Sequence, residues 1–104
     1  MSFEQMTDQQ IWGVANPIMD NLMEASTQID HPRHVRDFTA RMRSIVTPEH
    51  LEGVCKQYQS EKGFFTRRVP VAVFKRPSSA VLVWKQYFSK AEGEFVAEMV
   101  LVRD

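Results

Sequence analysis

One cysteine, four glycines and no lysine or arginine before residue 33 are the scarcities of this 104-residue chain. Each excludes something. Cys55 alone cannot form an internal disulfide or supply a cysteine pair for zinc, and such usage suits a reducing cytoplasm. The opening MSFEQMTDQQ holds neither a basic residue nor an apolar run, so it does not read as a signal peptide. No stretch approaches the roughly 20 apolar residues of a membrane helix. The expectation is a soluble cytoplasmic protein without a membrane partner. No catalytic or cofactor motif rises above background, and no cofactor is assigned.

What is present describes an ordinary globular chain. At 43% hydrophobic and 25% charged, it has the composition of a folded domain rather than a disordered one. Its length makes residues 1–104 a single domain, able to bury roughly 60–70% of its unfolded surface. Net charge is zero but unevenly spread. Residues 1–30 carry Glu4, Asp8, Asp20, Glu24 and Asp30 with no base, whereas 31–46 carry Arg33, Arg36, Arg41 and Arg43 against Asp37 alone. Two neighbouring helices whose solvated flanks attract each other explain this. A basic nucleic-acid surface is the other reading, but a pI near 6.8 argues against generic phosphate binding.

The period of the apolar residues changes at Gly63. Before it they recur every three or four positions, and after it they alternate, which predicts helices followed by an antiparallel sheet. Thr7-Asp8-Gln9-Gln10 has the capping-box form. The stripe Ile11, Val14, Ile18, Leu22 then predicts a helix over about 8–26, kinked at Pro17, with two short helices as the alternative. Asp30-His31-Pro32 starts a second helix over about 32–44, with Val35, Phe38 and Met42 as its buried stripe. Thr47-Pro48-Glu49 starts a third over 48–62, burying Leu51, Val54, Cys55 and Tyr58 and stopping at Gly63. Three to four strands follow over about 64–75, 80–88 and 95–102, the first bent or bulged where Pro70 cannot donate. Short turns make them an antiparallel meander.

Neither face of that meander is polar. The central strand alternates Ala80, Leu82, Trp84, Gln86, Phe88 with Val81, Val83, Lys85, Tyr87. The last alternates Phe95, Ala97, Met99, Leu101 with Val96, Glu98, Val100, Val102. Helices can cover one face, and an antiparallel sheet with one wet face should alternate cleanly. The second face therefore predicts a homodimer through the sheet.

Chemistry-bearing clusters are few. His31 and His34, three apart beside Asp30, have the spacing of shared metal ligands, but Pro32 sets His31 at a helix edge and no His-Glu-x-x-His pattern exists. No metal is assigned. His50 lies in the first turn of the third helix, and Cys55 lies on its buried stripe as a core thiol. Arg67-Arg68 and Lys75-Arg76 lie among phenylalanines, a combination that can bind single strands, yet Arg67 and Arg68 point to opposite faces. Trp12, Phe38, Tyr58 and Trp84 are the candidate lining of an apolar pocket between helices and sheet.

Thr47-Pro48-Glu49-His50-Leu51, then Tyr58 and Gly63-Phe64-Phe65, then strands joined by a Gly-Glu turn, form an order of starts that resembles the cystatin-like or nuclear-transport-factor-2-like α+β cone, in particular small bacterial domains of unknown function, over residues 30–102. The resemblance implies a homodimer with a pocket inside each cone, and families of this kind include both enzymes and inert accessory domains. The paired Asp/Tyr or Asp/His of the catalytic members match no position here, so no catalytic residue is carried over. The expected function is a homodimeric binding or accessory domain holding a small apolar ligand. The alternatives are a small isomerase or hydrolase using a histidine near the pocket, and a single-stranded nucleic-acid binder.

Overall fold

A computed structural model describes residues 2–103. It is α+β, with four α-helices followed by a three-stranded antiparallel sheet. A short 3-10 turn, Phe3–Gln5, precedes them.

Helix α1 (Asp8–Gln28) starts as its capping box dictates. The Thr7 hydroxyl accepts from the Gln10 amide at 3.1 Å, and the Gln10 side chain accepts from the Thr7 amide at 2.9 Å. The helix runs unbroken through Pro17, as one element rather than two. Gly13 and Pro17 both lie on its exposed side, where water can take the carbonyl that Pro17 leaves unpaired. The helix ends at Ile29, whose φ of 53° is uncommon for a β-branched residue. Packing of the Ile29 side chain against the second hydrophobic cluster holds it there.

The segment expected as one helix over 32–44 is two. Helix α2 (His31–His34) begins on Asp30, and helix α3 (Ala40–Ile45) begins on Thr39, whose hydroxyl accepts from the Met42 amide at 3.3 Å. The break has a physical cause. The Arg43 guanidinium donates to the carbonyls of Val35 at 3.1 Å and Arg36 at 2.8 Å. The Phe38 amide also donates to the Val35 carbonyl at 3.1 Å, so both carbonyls are satisfied by Arg43 and a tight turn rather than by a continuing helix. Helix α4 (Pro48–Lys62) matches its expected bounds, capped by Thr47. Three positions assigned to buried stripes are exposed instead: Val14 at 47%, Met42 at 42% and Val54 at 48%.

Strand β1 (Phe65–Lys75) pairs with β2 (Ser79–Phe88), which pairs with β3 (Phe95–Val102). The register of β1 slips between Pro70 and Ala72, so the strand stays continuous through a bulge at the proline. Helix α1 lies over β2. Ile11, Ala15 and Met19 meet Ala80, Leu82 and Trp84, all of them at most 3% exposed. A second, smaller cluster of Val35, Val46, Leu51 and Cys55 joins α2 and α4 away from the sheet. No helix of the described residues is long and apolar enough to cross a membrane.

The molecule measures 41 × 31 × 16 Å, and the last dimension has room for one helical layer on one sheet. Its radius of gyration of 14.3 Å exceeds the about 13 Å of a compact 100-residue domain. Apolar surface is left uncovered as a result.

Candidate functional site: an apolar groove and a bare sheet face

The helix side of β3 is the floor of the main concavity. Helix α1 crosses the sheet and covers β3 only in part, so Phe95, Ala97, Met99 and Leu101 are half-buried. Val14, Ile18 and Leu22 of α1 form one wall, and Phe38 and Met42 form the other. Together they bound a groove of about 1270 Å³. That is ample for a drug-sized molecule, for which pockets run roughly 300–1,000 Å³. The exposed Val14 and Met42 belong to this groove rather than to a core.

One end of the groove is aromatic. Tyr58 packs tilted on Phe65 with centroids 4.9 Å apart and Phe65 likewise on Phe88 at 5.2 Å, while Phe88 and Phe95 meet edge to face at 5.2 Å. The Lys62 ammonium lies 5.6 Å from the Phe95 ring and 6.0 Å from that of Phe88, within range of a cation–π attraction. At its root, Tyr58 shares a 2.8 Å hydrogen bond with the hydroxyl of Ser26, which also meets the Cys55 sulfur at 3.3 Å. This ladder joins the second cluster to the groove.

Gln86 lies in the floor directly opposite Phe95 and is 2% exposed. Its amide nitrogen donates to the carbonyls of Arg67 at 3.2 Å and Tyr87 at 2.9 Å. Two carbonyl acceptors fix the orientation of the amide. The remaining oxygen, Oε1, is buried without a hydrogen-bond partner. Beyond Gln86 lies a smaller cavity of about 270 Å³, lined by Asp20, Glu24, Thr27 and Arg68. Met23, Phe65 and Gln86 line both cavities and form the partition between them. Arg68 is held there by Asp20 at 2.6 Å and by the Trp84 ring, 5.4 Å from its guanidinium carbon.

The opposite face of the sheet has no helix on it. Phe74, Val81 and Val100 are register partners and make an apolar row across all three strands. Phe74 is 60% exposed and Val100 56%. Val96 and Val102 extend the patch. Its charges are Lys85, paired with Glu94 at 3.0 Å, Glu98 opposite Val83, and Arg67 over the Tyr87 ring at 4.4 Å. Among the described residues neither Arg67 nor Glu98 forms an ion pair. The hydrogen bond to Glu94, with its negative charge, raises the Lys85 pKa above its ordinary value. Arg67 and Arg68 project to opposite faces, as strand alternation predicts.

Of the four aromatics expected in a pocket, Phe38 lines the groove. Trp84 is 1% exposed under α1, edge-on to Trp12 with centroids 5.1 Å apart, and its Nε1 donates to Asn16 at 3.2 Å. Tyr58 stands at the root of the ladder. Phe88, Phe95, Lys62 and Gln86 were not foreseen. The apolar alternation of β2 and β3 was the signal for Phe88 and Phe95, and nothing local marks Lys62 or Gln86.

The histidines lie outside both cavities. His31 Nε2 meets the Val46 carbonyl at 2.8 Å, and His50 is exposed. His34 stands edge-on to Phe38, its Nδ1 buried and unpartnered. Burial, and to a lesser extent the nearby His31, lowers its pKa from 6.5. The acidic and basic segments of the sequence meet where Arg33 pairs with Glu24 at 3.3 Å. Among the described residues no three of His, Cys, Asp and Glu converge as metal ligands would. No protein-family model, curated protein or solved structure matches the chain.

Proposed function

We propose that the chain is a non-enzymatic homodimeric binding or accessory domain, cystatin-like or nuclear-transport-factor-2-like in fold, that pairs through its bare sheet face and holds a small apolar ligand in the groove. The observation that carries the dimer is the row Phe74–Val81–Val100, lying on a face that no helix covers. Contiguous apolar surface rimmed by charges is characteristic of an interface. A second copy is the occupant favoured by the charges. Arg67 and Glu98 share this face without ion-pair partners, so a second copy offers each an opposite charge. Two-fold symmetry then makes two such pairs from one.

A ligand role rests on the groove, whose lining is mainly apolar with a few polar side chains such as Lys62 and Arg43, and whose floor carries the buried Gln86. The lone Cys55 makes a cytoplasmic location part of the same proposal.

Sedimentation velocity on the intact protein tests the dimer. A species of twice the chain mass is expected at micromolar concentration. A single monomeric boundary at every concentration up to hundreds of micromolar overturns it.

A further inference from the structure

Gln86 Oε1 is the least explained atom in the molecule. A buried amide oxygen without a donor costs on the order of 1–3 kcal/mol, and such atoms are few in native proteins. Here it is carried by a side chain 2% exposed, in the floor of the groove, with its nitrogen already committed to two carbonyls. We infer that the groove takes an uncharged, ring-shaped apolar ligand bearing one hydroxyl, a phenol in its simplest form, whose O–H donates to Gln86 Oε1. This rests on the proposed ligand role of the groove and names its chemical class.

The surroundings choose among donors. An ammonium group would meet the Lys62 cation in the groove, while the carboxylates of the smaller cavity, Asp20 and Glu24, are already paired with Arg68 and Arg33. A carboxylate would set its oxygens against an amide oxygen with no proton between them. A neutral hydroxyl meets neither penalty. The body of the ligand follows from Phe65, Phe88 and Phe95, successive rings of the ladder beside Gln86. Their faces and edges favour another aromatic ring in stacked or edge-on contact. Met23, in the partition over Gln86, is the movable part. An unbranched thioether with three rotatable bonds can turn aside to admit the hydroxyl.

Three probes of one shape test this: naphthalene, 2-naphthol and 2-naphthoate, titrated into the intact protein near pH 7. 2-Naphthol should bind about fivefold more tightly than naphthalene, roughly 1 kcal/mol at 1.4 kcal/mol per tenfold. It should also shift the Gln86 side-chain NH₂ resonances, which naphthalene leaves in place. In Gln86→Leu the two neutral probes should bind alike, while the comparison in the unaltered protein stands whether or not that variant folds. Equal binding of naphthol and naphthalene in the groove overturns the hydroxyl assignment and leaves the groove a ligand site. Tightest binding by naphthoate, abolished by Lys62→Met, overturns it in favour of an anion. Binding of none of the three removes the ligand role itself.

Discussion

Replacing Phe74 by lysine separates the dimer from the fold. In the single chain Phe74 is 60% exposed on an edge strand, so Phe74→Lys removes little packing. Lysine is itself a common residue at sheet edges. The stability of the monomer should move by no more than about 0.5 kcal/mol. In the dimer the exposed part becomes covered. Full burial of a phenylalanine is worth about 1.5–3 kcal/mol, so the exposed 60% is worth about 1–2 kcal/mol per copy. A two-fold interface counts it twice, giving about 2–4 kcal/mol, or about a 30- to 700-fold weaker Kd. Desolvation of the ammonium adds to this, making it a lower bound. Sedimentation equilibrium over a dilution series reads the Kd, and thermal melting at low concentration reads the fold. A dimer whose Kd is unmoved by Phe74→Lys would refute the sheet-face interface. A variant that melts far below the parent at equal monomer concentration would show Phe74 to be core.

Two further outcomes concern the single chain. His34 has a folded pKa below its ordinary 6.5, because burial disfavours the imidazolium and His31 adds to that. Below pH 6.5 the unfolded chain therefore binds more protons than the folded one, so this contribution is complete above that pH and is lost as pH falls through it. The urea midpoint should drop between pH 7 and 5.5 more steeply in the parent than in His34→Leu, and parallel pH curves would remove the claim. Gly63, with φ 82° and ψ −142°, lies in a region that is essentially glycine's alone, and a Cβ there would collide with the Ser89 hydroxyl. Gly63→Ala should cost about 1–3 kcal/mol, lowering the Tm by at least about 5 °C. An unchanged Tm would mean that the junction of α4 and β1 tolerates another path.

Much of the fold is legible because it is local. Thr7 with Gln10, Asp30, Thr39 and Thr47 each cap within three residues of themselves. The bulge at Pro70 follows from a missing amide. The division of 32–44 was not legible, because its cause is Arg43 reaching back eight residues to Val35 and seven to Arg36. A hydrophobic stripe carries no record of such a contact. The groove was harder still. Phe38 was identifiable as an aromatic at helical spacing, but Gln86 and Lys62 become neighbours of Phe95 only after β2 pairs with β3 and α4 returns to the sheet.

Local chemistry sets the change from helix to strand at Gly63, the helix starts and the antiparallel meander, since caps and alternation act between near neighbours. The strand sequences also make both faces of the sheet apolar. Which face α1 would cover, and how far across, was decided by tertiary packing. Ile11, Ala15 and Met19 centre the helix on Ala80, Leu82 and Trp84 of the middle strand. One helix crossing the sheet leaves Phe95, Ala97, Met99 and Leu101 of the edge strand only half-buried. The helix side of β3 is left as a groove, and the other face is left bare for a second copy.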